Sequence, residues 1–447
     1  MQQTMQETKR RSFTGHDFLL LFIAFLGIFV YGLLTALPGT VLPELERNRF
    51  LQNDAVAGTF LLINAIGAVV AYIVSGPITD RIGKKFTLSA GAGLVIAAMA
   101  GFALTVTYVH AASALGLILL CSLVLGLGAN AIVSAGHALV GDIAENQRNA
   151  ALNLLDVCFG LGLLVLPLVF TGLPSGSGLG LIFWVLGGGA LVLLVTVAGP
   201  RFPKPAHPES FPIKEAGELF RTASFWMLAI ALFMYVGTEV SVGKWVVTYL
   251  ERDARLLQAA GIDPAALQEM ARISPEALAT YFKNDPTGTA LGAFALGTLS
   301  LFGLSLMVGR LITSFLLGVM RLNTFLMLSA GSAITAIGLA VAFTSGTPST
   351  VRWAIVASGI GMGPIFPTSV GLASVIVPRI AGTAMSWVMG IGFAGLLVIP
   401  PAVGYISNAA GEAGDVRRGL MAVLAAAIVM LALHIILSLS KRDKKIE

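Results

Sequence analysis

Three ionisable residues, Glu239, Asp156 and His137, stand inside stretches that are otherwise apolar. A charge in a hydrocarbon surround is expensive, so such residues mark either a passage or a pairing. Glu239 falls in the run Phe233-Met234-Tyr235-Val236-Gly237-Thr238-Glu239-Val240-Ser241. Counted from Ser224 at 1.5 Å per residue, it lies roughly 22 Å along a helix, slightly beyond the middle of a membrane span. It reads as a group that binds a solute or carries a proton, or else as a structural hydrogen bond to another helix. Asp156 shares a helix face with Asn153, three residues earlier. It reads as a cavity group or as the partner of a basic residue such as His137 or Lys244. Asn130, Ser134 and His137 follow at i, i+4 and i+7, a single polar stripe on an apolar helix. Glu239, Asp156 and His137 are thus the candidate proton-coupling groups.

Polar and aromatic residues in other apolar runs extend the candidate binding set to Asn64, Tyr235, Thr368 and Trp387. Trp245 could sit at a membrane interface, as tryptophans do, or stack on the C–H face of a sugar ring. Its neighbour Lys244 is expected to snorkel toward the headgroups. No phosphate-binding loop, zinc-ligand spacing or nucleophile–base pair with supporting context occurs. The chain is therefore not read as an enzyme, and neither a cofactor nor a metal is implied. Any work it does must draw on a gradient or on the solute itself.

These residues need elements to hold them, and composition says which. Of 447 residues, 56% are hydrophobic and only 11% charged, against roughly a quarter charged in soluble domains. Mean hydropathy is +0.87. One core cannot hold so much apolar side chain, so most of it must face lipid or other buried helices. The 51 glycines suit helices that pack closely through small residues. At about 20 apolar residues per crossing, spans are expected near 18–42, 54–79, 86–108, 112–141, 149–173, 178–199, 223–249, 290–317, 323–344, 351–377, 382–408 and 417–440. The net charge of +5 is dispersed over helix ends with no basic stripe, which argues against nucleic acid. Cys121 and Cys158 both lie in apolar runs, so no extracellular disulfide is expected.

Lys and Arg concentrate on one side: Lys9–Arg11, Arg81–Lys85, Arg148, Arg201–Arg221, Arg321, Arg379 and Lys441–Lys445. That side is expected to be cytoplasmic, with both termini on it. Residues 200–222 are polar and carry Pro203, Pro205, Pro208 and Pro212. They read as a cytoplasmic linker between an N-terminal six-helix bundle, 1–199, and a C-terminal one, 223–447. Residues 250–287 form an insert on the other side. Its two helix starts at Asp263-Pro264 and Ser274-Pro275 each pair an N-cap with a first-turn proline. The insert reads as a solvated loop or as a lid over the outer mouth.

Between the second and third spans lies Gly76-Pro77-Ile78-Thr79-Asp80-Arg81-Ile82-Gly83-Lys84-Lys85. Gly76 would let helices approach, Asp80 would pair with a basic residue, and Arg81, Lys84 and Lys85 would hold the loop cytoplasmic. This resembles the signature loop of the major facilitator superfamily. A weaker echo follows the eighth span, at Gly309-Arg310-Leu311, where Arg310 should be paired or snorkelling. The resemblance implies an all-α membrane protein of twelve spans in two six-helix bundles, with Gly76, Asp80, Arg81, Gly83, Lys84 and Arg310 as gating-motif residues.

The span-7 run, the Gly309-Arg310 stretch and the segments Phe366-Pro367-Thr368, Gly382-Thr383-Ala384-Met385-Ser386 and Gly404-Tyr405-Ile406-Ser407-Asn408 are similar to the fucose–galactose–glucose proton symporters. The chain departs from that branch where Gly32–Gly39 and the region of Asn130 carry no acid. A coupling proton must therefore use other groups. The resemblance implies proton-coupled uptake of a small neutral solute such as a hexose by a monomer in a membrane, a bacterial inner membrane by analogy. Its partners would be the solute, a proton or other ion, and the lipid bilayer. Proton-antiport export of amphipathic drugs or lipids, a sugar facilitator without ion coupling, and a transporter-like receptor remain alternatives.

Overall fold

The computed structural model describes residues 14–143, 148–172, 178–203, 221–320, 322–376, 381–410 and 415–442. Most of the expected linker lies outside these residues. The described residues are helical, and twelve helical spans are long and apolar enough to cross a membrane. The first six are α1 Gly15–Arg47, α2 Asp54–Arg81, α3 Lys84–Tyr108, α4 Ala111–Ile143, α5 Arg148–Thr171 and α6 Leu179–Ala198. The second half opens with α7 Ala223–Arg252. The insert follows as three short helices, α8 Ala254–Ala259, α9 Pro264–Ile273 and α10 Pro275–Asn284. Then come α11 Pro286–Gly318 and α12 Thr324–Thr344. The tenth span is broken into α13 Pro348–Met362 and α14 Ile365–Ile376. The eleventh runs through α15 Ala381–Ala394, a 3-10 turn and α16 Ile399–Asn408, and α17 Val416–Arg442 closes the chain.

The helix ends follow from local chemistry. Thr14 and Asp17 form a capping box at the start of α1. Asn53, Asp285 and Asn323 cap α2, α11 and α12 by accepting backbone N–H bonds. The insert helices start as expected, with Asp263 and Ser274 as caps and proline in the first turn. The outward faces carry large apolar side chains such as Ile73, Leu120, Val195 and Ile337, all exposed. In water these would be a liability; in a bilayer they are the lipid-facing surface.

The two halves meet where α1 crosses α7, α2 crosses α16, and α5 crosses α11. At the first crossing, a Cβ on Gly39 would run into the Gly243 carbonyl, so only glycine permits the approach. With twelve crossings α1 begins and α17 ends on one side, and the insert falls on the other. The insert side is sealed by charges. Arg47 at the end of α1 pairs with Glu251 of α7 and with Glu44, at 2.8 Å. Arg252 reaches back to Glu46 at 2.5 Å and Asp54 at 2.7 Å, and Asp54 also accepts a hydrogen bond from Ser407 of α16. The insert joins this network: Lys283 lies 3.6 Å from Glu44, and the Arg47 guanidinium sits 3.8 Å from the Phe282 ring centroid. Glu46, Asp54 and Glu251 are buried, so removing one partner leaves an uncompensated buried charge.

Arg252→Ala should therefore unseal the insert side. With Cys121 and Cys158 replaced by serine and one cysteine introduced at Thr35, labelling from the insert side by a charged thiol reagent should speed up severalfold. An unchanged rate would show that the Arg252 pairs do not hold the halves together.

Candidate functional site

The residues that bring charge to the interior are rooted by backbone packing. A Cβ on Gly309 would strike the Ile360 carbonyl, and one on Gly363 would lie 2.6 Å from the Arg310 nitrogen. The tenth span breaks beside Pro364, which has no N–H to continue the ladder. These two glycines press α11 against that break and fix the root of Arg310. Its guanidinium then points between the halves. It lies 3.9 Å from the Glu239 carboxylate on α7. It also donates at 3.4 Å to the Asp156 backbone carbonyl on α5 and hangs 5.6 Å from the Phe159 ring centroid. Arg310 is thus the buried tie between α5, α7 and α11.

Asp156 has its own partner. Its carboxylate is 3.6 Å from His137 Nε2, and His137 Nδ1 meets the Val133 carbonyl at 3.0 Å. A carbonyl only accepts, so Nδ1 donates there. Nε2 can then donate to Asp156 only when the ring carries both protons. The Arg310 and Glu239 side chains retain 12% and 14% exposure, against 39% and 23% for His137 and Asp156. The cluster is therefore dry at one end and wetter at the other.

Beyond the cluster, toward the insert side, lies a cavity of about 50 Å³. Asn64, Asn130, Tyr31, Thr35 and Lys244 supply its polar wall, and leucine, alanine, valine, proline and glycine the rest. Asn130 donates to Gly126 at 2.9 Å and accepts from the Tyr31 hydroxyl at 3.4 Å. Asn64 donates to the Ser122 carbonyl at 3.0 Å, and among the described residues nothing donates to its side-chain oxygen, which can accept at the cavity wall. Tyr31 stacks on Phe159, with centroids 5.4 Å apart, so one aromatic pair links cavity and charge cluster.

Other expected residues fall elsewhere. Trp245 is neither interfacial nor a plate: it is fully buried, and its indole N–H donates to the Pro400 carbonyl at 2.9 Å. Lys244 does not snorkel; it is buried and faces the cavity. Tyr235 is buried against Phe366 with its hydroxyl beside Glu239 and Arg310, and among the described residues that hydroxyl makes no hydrogen bond of good geometry. Thr368 is buried on α14, and Trp387 is partly exposed; neither lines the cavity. The side chains of Asn153 and Asp80 lie outside the described residues. A Cβ on Gly76 would meet open space, so no helix approach there depends on it. Gly83 earns its place differently, with φ of 116° at the start of α3. Lys84 is buried and paired with Asp142 of α4, while Arg81 is exposed. The echo residue Arg310 is paired rather than snorkelling, and it stands at the centre of the cluster.

Sequence reasoning did not find Tyr31 and Thr35, which carried no charge to flag them, nor the sealing set Arg47, Glu251, Arg252 and Asp54.

A family model, Major Facilitator Superfamily, matches residues 24–271. Protein TsgA of Escherichia coli is 24% identical over 366 residues, covering 79% of each chain. The fold superposes on a D-xylose-proton symporter with a TM-score of 0.65 at 16% identity, covering 93% of this chain and 97% of that one. It superposes on the E. coli fucose:proton symporter with a TM-score of 0.61 at 15% identity, covering 94% and 99%.

Arg310→Met alone should lower unfolding stability in detergent by about 3 kcal/mol or more, because Glu239 is left buried without its partner. The double variant Arg310→Met, Glu239→Gln should regain most of that loss. Thermal unfolding of the purified variants measures it. A double variant as unstable as the sum of the singles would mean that the two side chains do not act as a pair.

Proposed function

The chain belongs to the Major Facilitator Superfamily, and from that premise we propose that it carries a small hydroxylated solute, a hexose or smaller, across the membrane together with a proton. One central site would be exposed alternately to the two sides as the halves, 1–199 and 223–447, rock against each other. The observation that carries the coupling is the Arg310 tie. A single guanidinium pairs with Glu239 and also touches the backbone of Asp156, across the boundary between the halves. A proton arriving at Glu239 neutralises the carboxylate and frees Arg310. The guanidinium can then turn to the Asp156 carboxylate, which His137 otherwise engages. Protonation is thereby linked to which half holds the charge, and so to the rocking motion.

The cavity supplies hydrogen-bonding partners for hydroxyl groups in Asn64, Asn130, Tyr31 and Thr35. With Trp245 committed to Pro400, Tyr31 is the aromatic face that remains. The likeness to sugar symporters is one of fold, and it makes a sugar-sized solute a natural first class to try. The Lys and Arg distribution argues for a cytoplasmic terminal side. The sealed insert side then corresponds to a state closed to the exterior, with the insert as a lid. The cell membrane of a bacterium is the proposed setting, and a monomer the proposed unit.

Glu239→Gln should abolish solute accumulation driven by an imposed proton gradient in proteoliposomes, while counterflow exchange of the same solute continues. Full gradient-driven accumulation by this variant would remove Glu239 from the coupling step.

A further inference from the structure

Every other buried charge described above has a partner of opposite sign or a hydrogen bond. Lys244 has neither. It is 8% exposed, and among the described residues no carboxylate forms an ion pair with it and no hydrogen bond to its ammonium is found. Glu239, five residues earlier on α7, is taken by Arg310, and Asp156 by His137. The carboxylates of the sealing network on the insert side are each held by arginine or lysine. Lys244 instead lines the central cavity, opposite Asn64 and Asn130. A buried ammonium with no compensating group costs several kcal/mol. A transporter that keeps one at the wall of its cavity has placed a counter-charge for something absent from the chain.

We propose that the transported solute carries a carboxylate, and that Lys244 is the residue that receives it. This rests on the reading of the cavity as the transport site, and it narrows the solute to a small hydroxylated monocarboxylate, a hydroxy acid or sugar acid. The carboxylate sits on the Lys244 ammonium. The hydroxyls meet the Asn64 side-chain oxygen and the Asn130 and Tyr31 groups. The aliphatic carbons lie against Leu34, Leu61 and Leu125. With the anion bound, the cavity is neutral. The charge that then crosses the membrane is set by the proton on Glu239, so the two steps divide the electrostatics between two sites on one helix.

The test is thermal stabilisation and calorimetric binding on the purified full-length protein in detergent, with lactate, glycerate and gluconate against glycerol and glucose as neutral counterparts. The wild type should be stabilised by at least one carboxylate and not by its neutral counterpart. Lys244→Gln should weaken that binding about 10- to 100-fold, the range for losing one charged hydrogen bond, and Lys244→Arg should retain most of it. The empty Lys244→Gln protein should unfold at a higher temperature than the wild type, since an unpaired charge has been removed; a purely structural lysine would give the opposite. Carboxylate binding unchanged in Lys244→Gln would overturn the proposal. So would stabilisation by glucose or glycerol that is equal in both proteins, although that result would leave the transport reading standing. Failure of all five probes to bind the folded wild type would overturn both.

Discussion

A hydrocarbon surround offers a charge no water, and the interior of this chain is arranged around that constraint. Arg310 is the case on which the rest hangs. It enters from α11 at a point where Gly309 and Gly363 leave no room for side chains. It is then obliged to find acceptors, and it finds them on both halves: the Glu239 carboxylate and the Asp156 carbonyl. The ion-pair part of this tie is stable only while Glu239 keeps its charge. A proton can therefore do what no apolar contact can, which is to change the preferred pairing without rebuilding the core.

The insert side and the middle of the molecule solve the same problem differently. On the insert side the charges are many and mutually satisfied, spread over α1, α2, α7, α16 and the insert. Such a network closes a mouth and can reopen only as a set. In the middle the charges are few and divided into pairs that one proton can disturb. Between them lies a cavity whose wall holds amide, hydroxyl and ammonium groups on a mostly aliphatic surface. The close crossing at Gly39 and Gly243 brings α1 and α7 together beside that cavity. Lys244, the next residue along, stands at the same crossing.

Much of the architecture was legible in the sequence because lipid demands long apolar runs. The twelve expected spans coincide with the twelve helical ones, and the insert helices begin at the Asp-Pro and Ser-Pro steps. Ionisable residues within runs were conspicuous for the same reason, which is why Glu239, Asp156 and His137 stood out. Facing was not legible. A helix apolar on all sides has no stripe to show which side meets lipid and which meets protein. Trp245 could thus be taken for an interfacial or stacking residue when it is locked to Pro400, and Lys244 for a snorkelling one when it is buried. Arg310 was expected to be paired or snorkelling, and its partners, Glu239 and Asp156, could not be named because they lie 71 and 154 residues away in the chain. Tyr31 and Thr35 carry neither charge nor motif, and only the packing of α1 against α4 and α5 gives them a role.

The central claim is that proton and solute move together through this cluster. Its most direct test is solute-driven proton flux. Proteoliposomes containing a trapped pH indicator, with no gradient imposed, receive glycerate or a hexose outside, and protein-free vesicles give the baseline. The account predicts acidification of the interior above baseline, which disappears in Glu239→Gln while solute exchange persists. Solute entry by the wild type with no proton movement would contradict it.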